Sequence, residues 1–208
     1  MSGTAVAVLL LFVFSLVSSS RISPGHQQYK SPAKFQQTMQ ISLENLPPAD
    51  FNAVATDEAS VQNSITRYVL THGSKLSRDE LDKMVSATMT YSKQYNVNPK
   101  LVVAMIDRES GFNPMAVSTS GAMGFAQLLP STAAGIGIRD PHDIDEGTKG
   151  AALYLKMMLD RWAGNPNQVP LALGSYAEGY TAVMKKGGYS DATAAYIRDI
   201  LNNYNAMN

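Results

Sequence analysis

The sequence has 208 residues, no cysteine, 16% charged side chains, and seventeen basic residues against seventeen acidic ones. This length allows one hydrophobic core of ordinary size with residues left over. The lack of cysteine excludes a disulfide framework, a thiolate metal site and a cysteine nucleophile. Scattered histidines argue against a zinc site, and the even charge balance argues against a nucleic-acid partner. No metal or organic cofactor is implied.

The first twenty residues form an apolar segment. Ala5 to Val17 is interrupted only by Ser15, and three serines and Arg21 follow. As a helix this run is about 20 Å long, short of the roughly 30 Å hydrocarbon core of a bilayer. Residues 1–20 are therefore expected to be a cleaved signal peptide, or else a short anchor that is the protein's only contact with a membrane. Either way the sequence indicates the cell envelope, with the protein periplasmic or exported.

Residues 21–75 are predicted to form an arm or linker. Gln, Ser, Pro and Ala dominate its first part, and four prolines up to Pro48 prevent a long helix. Apolar residues at helical spacing then predict a short amphipathic helix from about Ala59 to His72. This helix either packs on the domain or binds a partner.

Residues 76–208 are predicted to form a mainly α domain with a small β lobe. Ser77 opens a helix that ends near Tyr95, and Asn98 opens a second one that runs to about Ser110. Leu101 to Ile106 contains no polar residue, which predicts a central helix enclosed by the others. Further helices are predicted over residues 143–162, 170–177, 181–185 and 190–205. Glycines at positions 121 and 124 favour a short, hairpin-like excursion over residues 115–129.

Glu109 lies in the predicted last turn of the central helix, and Gly111 is placed to end that helix. The helix dipole and the apolar residues nearby both disfavour a charged carboxyl, so the pKa of Glu109 is expected above its ordinary value. A carboxyl that stays protonated near neutral pH is what general-acid cleavage of a glycosidic bond requires. The alternative from spacing alone is a structural acid paired with a basic neighbour such as Arg139.

Four ordered motifs between Met84 and Leu201 carry a resemblance to a known family. They are Glu109-Ser110-Gly111-Phe112-Asn113-Pro114 with Gly124-Phe125-Ala126-Gln127-Leu128, then Ala151-Ala152-Leu153-Tyr154-Leu155, then Ser175-Tyr176-Ala177-Glu178-Gly179, then Thr193 with Tyr196-Ile197. Together they resemble the signature of the soluble lytic transglycosylase family. The resemblance implies a lysozyme-like (goose-type) helical domain that acts on peptidoglycan glycan strands.

The resemblance also implies roles for five residues. Glu109 corresponds to the family's single catalytic acid. Ser110, Gln127 and Tyr176 correspond to residues that bind or border the glycan, and Tyr196 to a tyrosine whose hydroxyl bonds the acid. Hydroxyl and amide groups suit sugar oxygens and acetamido groups, and tyrosine adds an apolar face for a pyranose ring.

Three positions depart from the family pattern. Ala177 stands where the family has Asn, and Ala126 stands where it has Met before the groove glutamine. The lost amide removes a donor and an acceptor from the site. Glu178 adds a carboxylate to the third motif, either as a solvated side chain or as a second group at the edge of the site.

The function implied is a lytic transglycosylase, which cleaves between N-acetylmuramic acid and N-acetylglucosamine and forms 1,6-anhydromuramic acid. Small size suggests an enzyme that opens the wall locally for a secretion, pilus or conjugation apparatus, contacted through the arm. One alternative is a hydrolytic lysozyme in which Glu178 or Asp143 helps a water molecule. The other is a glycan-binding module that has lost turnover.

Overall fold

The computed structural model describes residues 46–53, 57–73 and 75–208. The predicted leader at residues 1–20, and the arm before residue 46, lie outside this part. The described chain contains eight helices and no strand, and none of these helices is long and apolar enough to cross a bilayer. The mainly α class is confirmed. The helices are α1 (Glu58–His72), α2 (Arg78–Tyr95), α3 (Pro99–Ser110), α4 (Pro130–Gly135), α5 (Ile144–Arg161), α6 (Gln168–Glu178), α7 (Tyr180–Lys186) and α8 (Asp191–Asn205).

Side-chain caps start α2, α3 and α5 where the sequence predicts. Ser77 accepts a hydrogen bond from the N–H of Glu80, and the Glu80 carboxylate accepts the N–H of Ser77 at 2.8 Å, which completes a capping box. Asn98 caps two N–H groups in the first turn of α3, and Asp143 does the same for α5. These signals are local, so the sequence alone is enough to find them.

The other helices differ modestly from expectation. α6 begins at Gln168 instead of Pro170, whereas α7 and α8 agree with their predicted bounds within one residue. α4 is a helix that the sequence pattern does not predict. It has only six residues, which is too short to establish an apolar period.

The expectation of a small β lobe is wrong. The segment between α3 and α4 folds as a series of tight turns, and its pairings are two isolated bridges, Val117 with Met123 and Met123 with Leu128. Gly124, with φ +70°, packs so closely on Pro141 that an added Cβ would lie 1.7 Å from the Pro141 carbonyl oxygen. The turns pack this segment against the chain that follows it. No stretch between the turns is long enough to form a hydrogen-bonded β-ladder.

α3 is the central helix, as its unbroken apolar run predicts. Every side chain from Leu101 to Ile106 is fully buried, and α3 contacts α1, α2, α5 and α8. A helix enclosed in this way needs apolar residues on every face. Its carboxyl end leaves the core at Glu109, so the packed core fixes where that residue stands.

α1 packs on the central helix through one apolar face. Val61, Ile65 and Val69 are buried. The hydroxyl of Tyr68 donates to Asp107 Oδ2 at 2.6 Å. α1 occupies the segment for which apolar spacing predicts a short helix, and of the two roles considered for that helix it has the packing role.

Candidate active site

Glu109 lies in the last turn of α3. Gly111 ends the helix with φ +56°, and its N–H donates to the carbonyl of Asp107 at 2.8 Å. Glycine is suited to this left-handed position because it has no Cβ. Glu109 is partly buried, and burial raises the pKa of its carboxyl from 4.5 to about 7. The direction agrees with the prediction from an apolar helix end.

The hydroxyl of Tyr196, on α8, donates to Glu109 Oε1 at 2.6 Å. Burial has the largest effect on the pKa of Glu109 and raises it, while this hydrogen bond and the nearby charge of Arg108 lower it. The balance leaves the carboxyl close to half-protonated at neutral pH. A carboxyl in that condition can release a proton and take one back at little cost in free energy.

Arg108 supports the ring of Tyr196. Its guanidinium carbon lies 5.2 Å from the centre of that ring, and its Nε donates to Asp199 Oδ2 at 2.9 Å. Because Tyr196 and Asp199 both belong to α8, Arg108 ties α3 to α8 at the level of Glu109. Sequence reasoning missed this residue because its partner is 91 positions away. The one signal was a basic residue next to the predicted acid.

Tyr176, on α6, approaches Glu109 from another direction. Burial raises its pKa well above the ordinary value, and the charge of Glu109 contributes in the same direction. Its hydroxyl donates to the carbonyl of Ala126 at 2.8 Å, and its ring meets Tyr154 edge-on at 4.9 Å between ring centres. Tyr176 therefore fixes the loop that carries Gln127.

Gln127 and Ser110 make no hydrogen bond to Glu109 within the described chain. Gln127 has φ +45°, and its Nε2 donates to two carbonyls of its own segment at 3.0 and 3.3 Å. Ser110 Oγ donates to the carbonyl one turn earlier at 3.1 Å. The carbonyl oxygen of the Gln127 amide and the lone pairs of Ser110 can still accept hydrogen bonds from a ligand.

Glu178 and Asp143, the two other carboxylates considered from the sequence, are engaged in hydrogen bonds and ion pairs within the fold. Glu178 is not a solvated side chain, because only 14% of it is exposed and it accepts from Lys186 Nζ at 2.9 Å and the N–H of Ser190 at 2.8 Å. Burial alone would raise the pKa of Glu178, but its hydrogen bonds lower it to about 2. Asp143 caps α5 and accepts from Lys83 Nζ at 2.9 Å.

The alternative pairing of Glu109 with Arg139 is wrong. The guanidinium of Arg139 donates to Glu146 Oε1 at 2.8 Å, and the backbone N–H of Arg139 donates to Oε2 of the same residue at 2.7 Å. Arg139 follows α4 and Glu146 lies in the first turn of α5, so this pair closes the connection between those helices. Glu109 has a tyrosine hydroxyl as its bonded neighbour instead.

A family model and several known proteins match this chain. The family model "Transglycosylase SLT domain" matches residues 86–198, more than half of the chain. Relatives include a "Transglycosylase" of Enterobacteria phage PRD1, 33% identical over 116 residues. Two others are each named "Membrane-bound lytic murein transglycosylase F", from Serratia proteamaculans (29% over 129 residues) and Photobacterium profundum (30% over 122 residues).

These alignments cover more than half of this chain but a smaller share of each relative. The shares of this chain are 56%, 58% and 54%, and the shares of the relatives are 41%, 26% and 23% in the same order. The family-model match over residues 86–198 includes the helix end with Glu109, the loop of Gln127, and Tyr176 and Tyr196. The resemblance seen in the sequence motifs is confirmed: the chain belongs to the transglycosylase SLT domain family.

Proposed function

We propose that this chain is a peptidoglycan lytic transglycosylase. It cleaves the β-1,4 bond between N-acetylmuramic acid and N-acetylglucosamine and forms 1,6-anhydromuramic acid. The observation that carries the proposal is a partly buried carboxyl, Glu109, with a pKa of about 7 and a hydrogen bond from Tyr196. Glu178 and Asp143, the other acids considered, are held by structural bonds. Membership of the transglycosylase SLT domain family supports the same reaction.

In the proposed mechanism one carboxyl acts twice. Protonated Glu109 gives its proton to the bridging oxygen, and the bond from that oxygen to C1 of the muramyl sugar breaks. The acetamido oxygen of the same sugar stabilises the positive charge that develops at C1. The Glu109 carboxylate then accepts the proton of the muramyl 6-hydroxyl while that oxygen bonds to C1. No water is consumed, and Glu109 ends protonated again.

We propose that Ser110, Gln127, Tyr176 and Tyr196 bind or position the glycan around Glu109. The free acceptor of Gln127 suits an acetamido N–H, and Ser110 suits a sugar hydroxyl. Tyr196 positions the acid directly through its 2.6 Å hydrogen bond. Tyr176 acts through the loop of Gln127, which it holds at the Ala126 carbonyl.

The reaction is tested by digesting purified peptidoglycan in water enriched in heavy oxygen and weighing the products. A lytic transglycosylase gives anhydromuramyl ends that are lighter than reducing ends by one water and carry no label. Labelled reducing ends would instead identify a hydrolytic lysozyme. Binding to peptidoglycan without any product would identify a glycan-binding module.

The Glu109→Gln variant tests the assignment of the acid. We expect its rate to fall about a hundred- to ten-thousand-fold, because an amide cannot transfer the proton. Glu58→Gln is the matched control, since Glu58 is an exposed carboxylate on α1 paired with Lys93. Normal cleavage by Glu109→Gln would contradict the assignment.

We further propose that the protein works in the cell envelope, after export directed by residues 1–20, and opens the wall locally for an envelope-spanning apparatus. Peptidoglycan lies outside the cytoplasmic membrane, so an enzyme that cleaves it acts on that side of the membrane. Two of the relatives are named membrane-bound, which is consistent with work at that surface. The mass of the mature N-terminus decides between a cleaved leader and a retained anchor.

A further inference from the structure

A cleft of about 560 Å³ lies between the carboxyl-terminal half of α5 and the corner where α6 meets α7. We call it the α5–α7 cleft. Gly179, with φ +84° and ψ +137°, ends α6 and begins α7, and forms the bottom of this corner. The volume is in the range of sites that hold small ligands or short segments of a polymer.

Two tyrosine rings link the α5–α7 cleft to the proposed catalytic site. Its wall includes Tyr154, whose ring contacts Tyr176 edge-on at 4.9 Å between ring centres. Tyr176 is the residue that holds the loop beside Glu109. Tyr154 and Tyr176 therefore connect the wall of the cleft to the surroundings of Glu109, whose charge raises the pKa of Tyr176.

An aromatic and cationic pair forms the outer wall. The guanidinium carbon of Arg161 lies 4.6 Å from the ring centre of Tyr180, and the Trp162 ring meets Tyr180 edge-on at 5.4 Å. A guanidinium that stacks by its face keeps its N–H edge available for a carboxylate. The contact with Tyr180 holds the guanidinium of Arg161 in the wall of the cleft.

The cleft carries uncompensated positive charge. Within the described chain neither Arg161 nor Lys185 is paired with a carboxylate, and both line the cleft. The one acid in the lining, Glu178, is engaged by Lys186 and by the N–H of Ser190. Its charge is therefore already balanced, and a bound anion would meet two free cations.

We propose that the α5–α7 cleft binds the carboxylate-bearing stem peptide of a muramyl sugar. The inference rests on the proposed function, because it concerns the same substrate. The sugar rings of peptidoglycan offer hydroxyl and acetamido groups, whereas the peptide attached to muramic acid supplies free carboxylates. Arg161 and Lys185 recognise those carboxylates, and Tyr154 and Tyr180 contact the apolar parts of the peptide.

The test compares two substrates, glycan chains that carry stem peptides and the same chains from which an amidase has removed them. KM and kcat are measured for the full-length protein and for Arg161→Gln, Lys185→Gln and the double variant. We expect each single variant to raise KM about fivefold on stem-bearing chains, which corresponds to about 1 kcal/mol for a partly exposed charge contact. The double variant should raise KM about twentyfold, with KM on peptide-free chains unchanged.

Lys156→Gln is the matched control, because Lys156 lies on α5 and its ammonium is engaged by Asp160 outside the cleft. An equal loss on both substrates would overturn the proposal in favour of a sugar subsite, and no loss on either would also overturn it. Failure of the wild-type protein to cleave either substrate would contradict the proposed function instead. In that case binding of a soluble stem peptide, measured by calorimetry with and without the double substitution, tests the cleft by itself.

Discussion

At the scale of single residues, Glu109 holds its proton more tightly in the folded chain than in the unfolded chain. Its folded pKa is about 7, and its ordinary value is 4.5. Between these pH values the folded state binds more protons, so the stability contribution of Glu109 falls as pH rises. At pH values below the ordinary pKa, Glu109 is neutral in both states, and its burial costs no stability through charge. At pH values above the folded-state pKa, burial of the charged carboxylate lowers the stability of the folded state by the full amount, about 3 kcal/mol.

The Glu109→Gln variant should therefore be more stable than the wild type at alkaline pH. Glutamine keeps an acceptor for the Tyr196 hydroxyl but carries no charge to bury. We expect the free energy of unfolding to rise by about 2 to 3 kcal/mol at pH near 8, and to change little at pH near 4. Urea unfolding at both pH values measures this, and a difference that does not vary with pH would contradict it.

The Tyr196→Phe variant should shift the pH dependence of catalysis. The tyrosine hydrogen bond lowers the pKa of Glu109, so its removal raises that pKa further. Because protonated Glu109 starts the reaction, the alkaline fall in kcat/KM should move to higher pH. Tyr204→Phe on the same helix is the control, since the Tyr204 ring is buried away from the acid bond. An unmoved or acid-shifted profile would count against the pairing.

Local sequence signals were enough to single out Glu109 as a candidate and to predict the direction of its pKa shift, but not to find its partners. An apolar run followed by an acid and a helix-ending glycine is contained in a dozen residues, and the direction of the pKa shift follows from it. The bond from Tyr196 joins residues 87 positions apart. Only the family resemblance suggested it, because periodicity cannot tell which distant side chains meet.

At the scale of elements, two glycines between α3 and α4 allow the effect of a steric clash to be distinguished from the effect of backbone strain. Gly121 and Gly124 have φ values of +80° and +70°. An added Cβ at Gly121 meets nothing within 4 Å, whereas at Gly124 it would lie 1.7 Å from a backbone oxygen of Pro141. Both substitutions strain the backbone, but only the second forces the turns away from Pro141.

Gly124→Ala should therefore destabilise the protein far more than Gly121→Ala. We expect a loss of about 1 kcal/mol at Gly121 from conformation alone, and of about 3 kcal/mol or more at Gly124. Thermal unfolding of the two variants measures the difference. Equal losses would mean that the close approach to Pro141 does not hold this segment in place.

All the helices except the six-residue α4 were predictable, and the turns between α3 and α4 were not, for a physical reason. Ser77, Asn98 and Asp143 satisfy N–H groups within three residues of themselves, so the sequence window contains the whole interaction. The turn segment is set by contact with Pro141, 17 positions after Gly124. Glycines there looked like hairpin turns because their spacing does not reveal what they pack against.

At the scale of the whole molecule, α1 is part of the folded unit although it precedes the family match at residues 86–198. Ile65 is fully buried on its inner face, whereas Leu70 is 54% exposed on its outer face. Ile65→Ala should lower the free energy of unfolding by about 2 to 5 kcal/mol, and Leu70→Ala by no more than about 0.5 kcal/mol. Urea unfolding followed by the fluorescence of Trp162, at the end of α5, measures both free-energy changes. A negligible effect of Ile65→Ala would mean that α1 unfolds independently.

The corner at Gly179 has a consequence for how this chain can vary. One residue ends α6 and begins α7, so no loop separates the two helices. Because an α-helix turns about 100° per residue, inserting or deleting a single residue in α7 before Lys185 would rotate that side chain by about 100° out of the α5–α7 cleft. Length changes that most surface connections accept are therefore unavailable here. The corner ties the spacing of Tyr176 and Lys185 to one fixed number of residues.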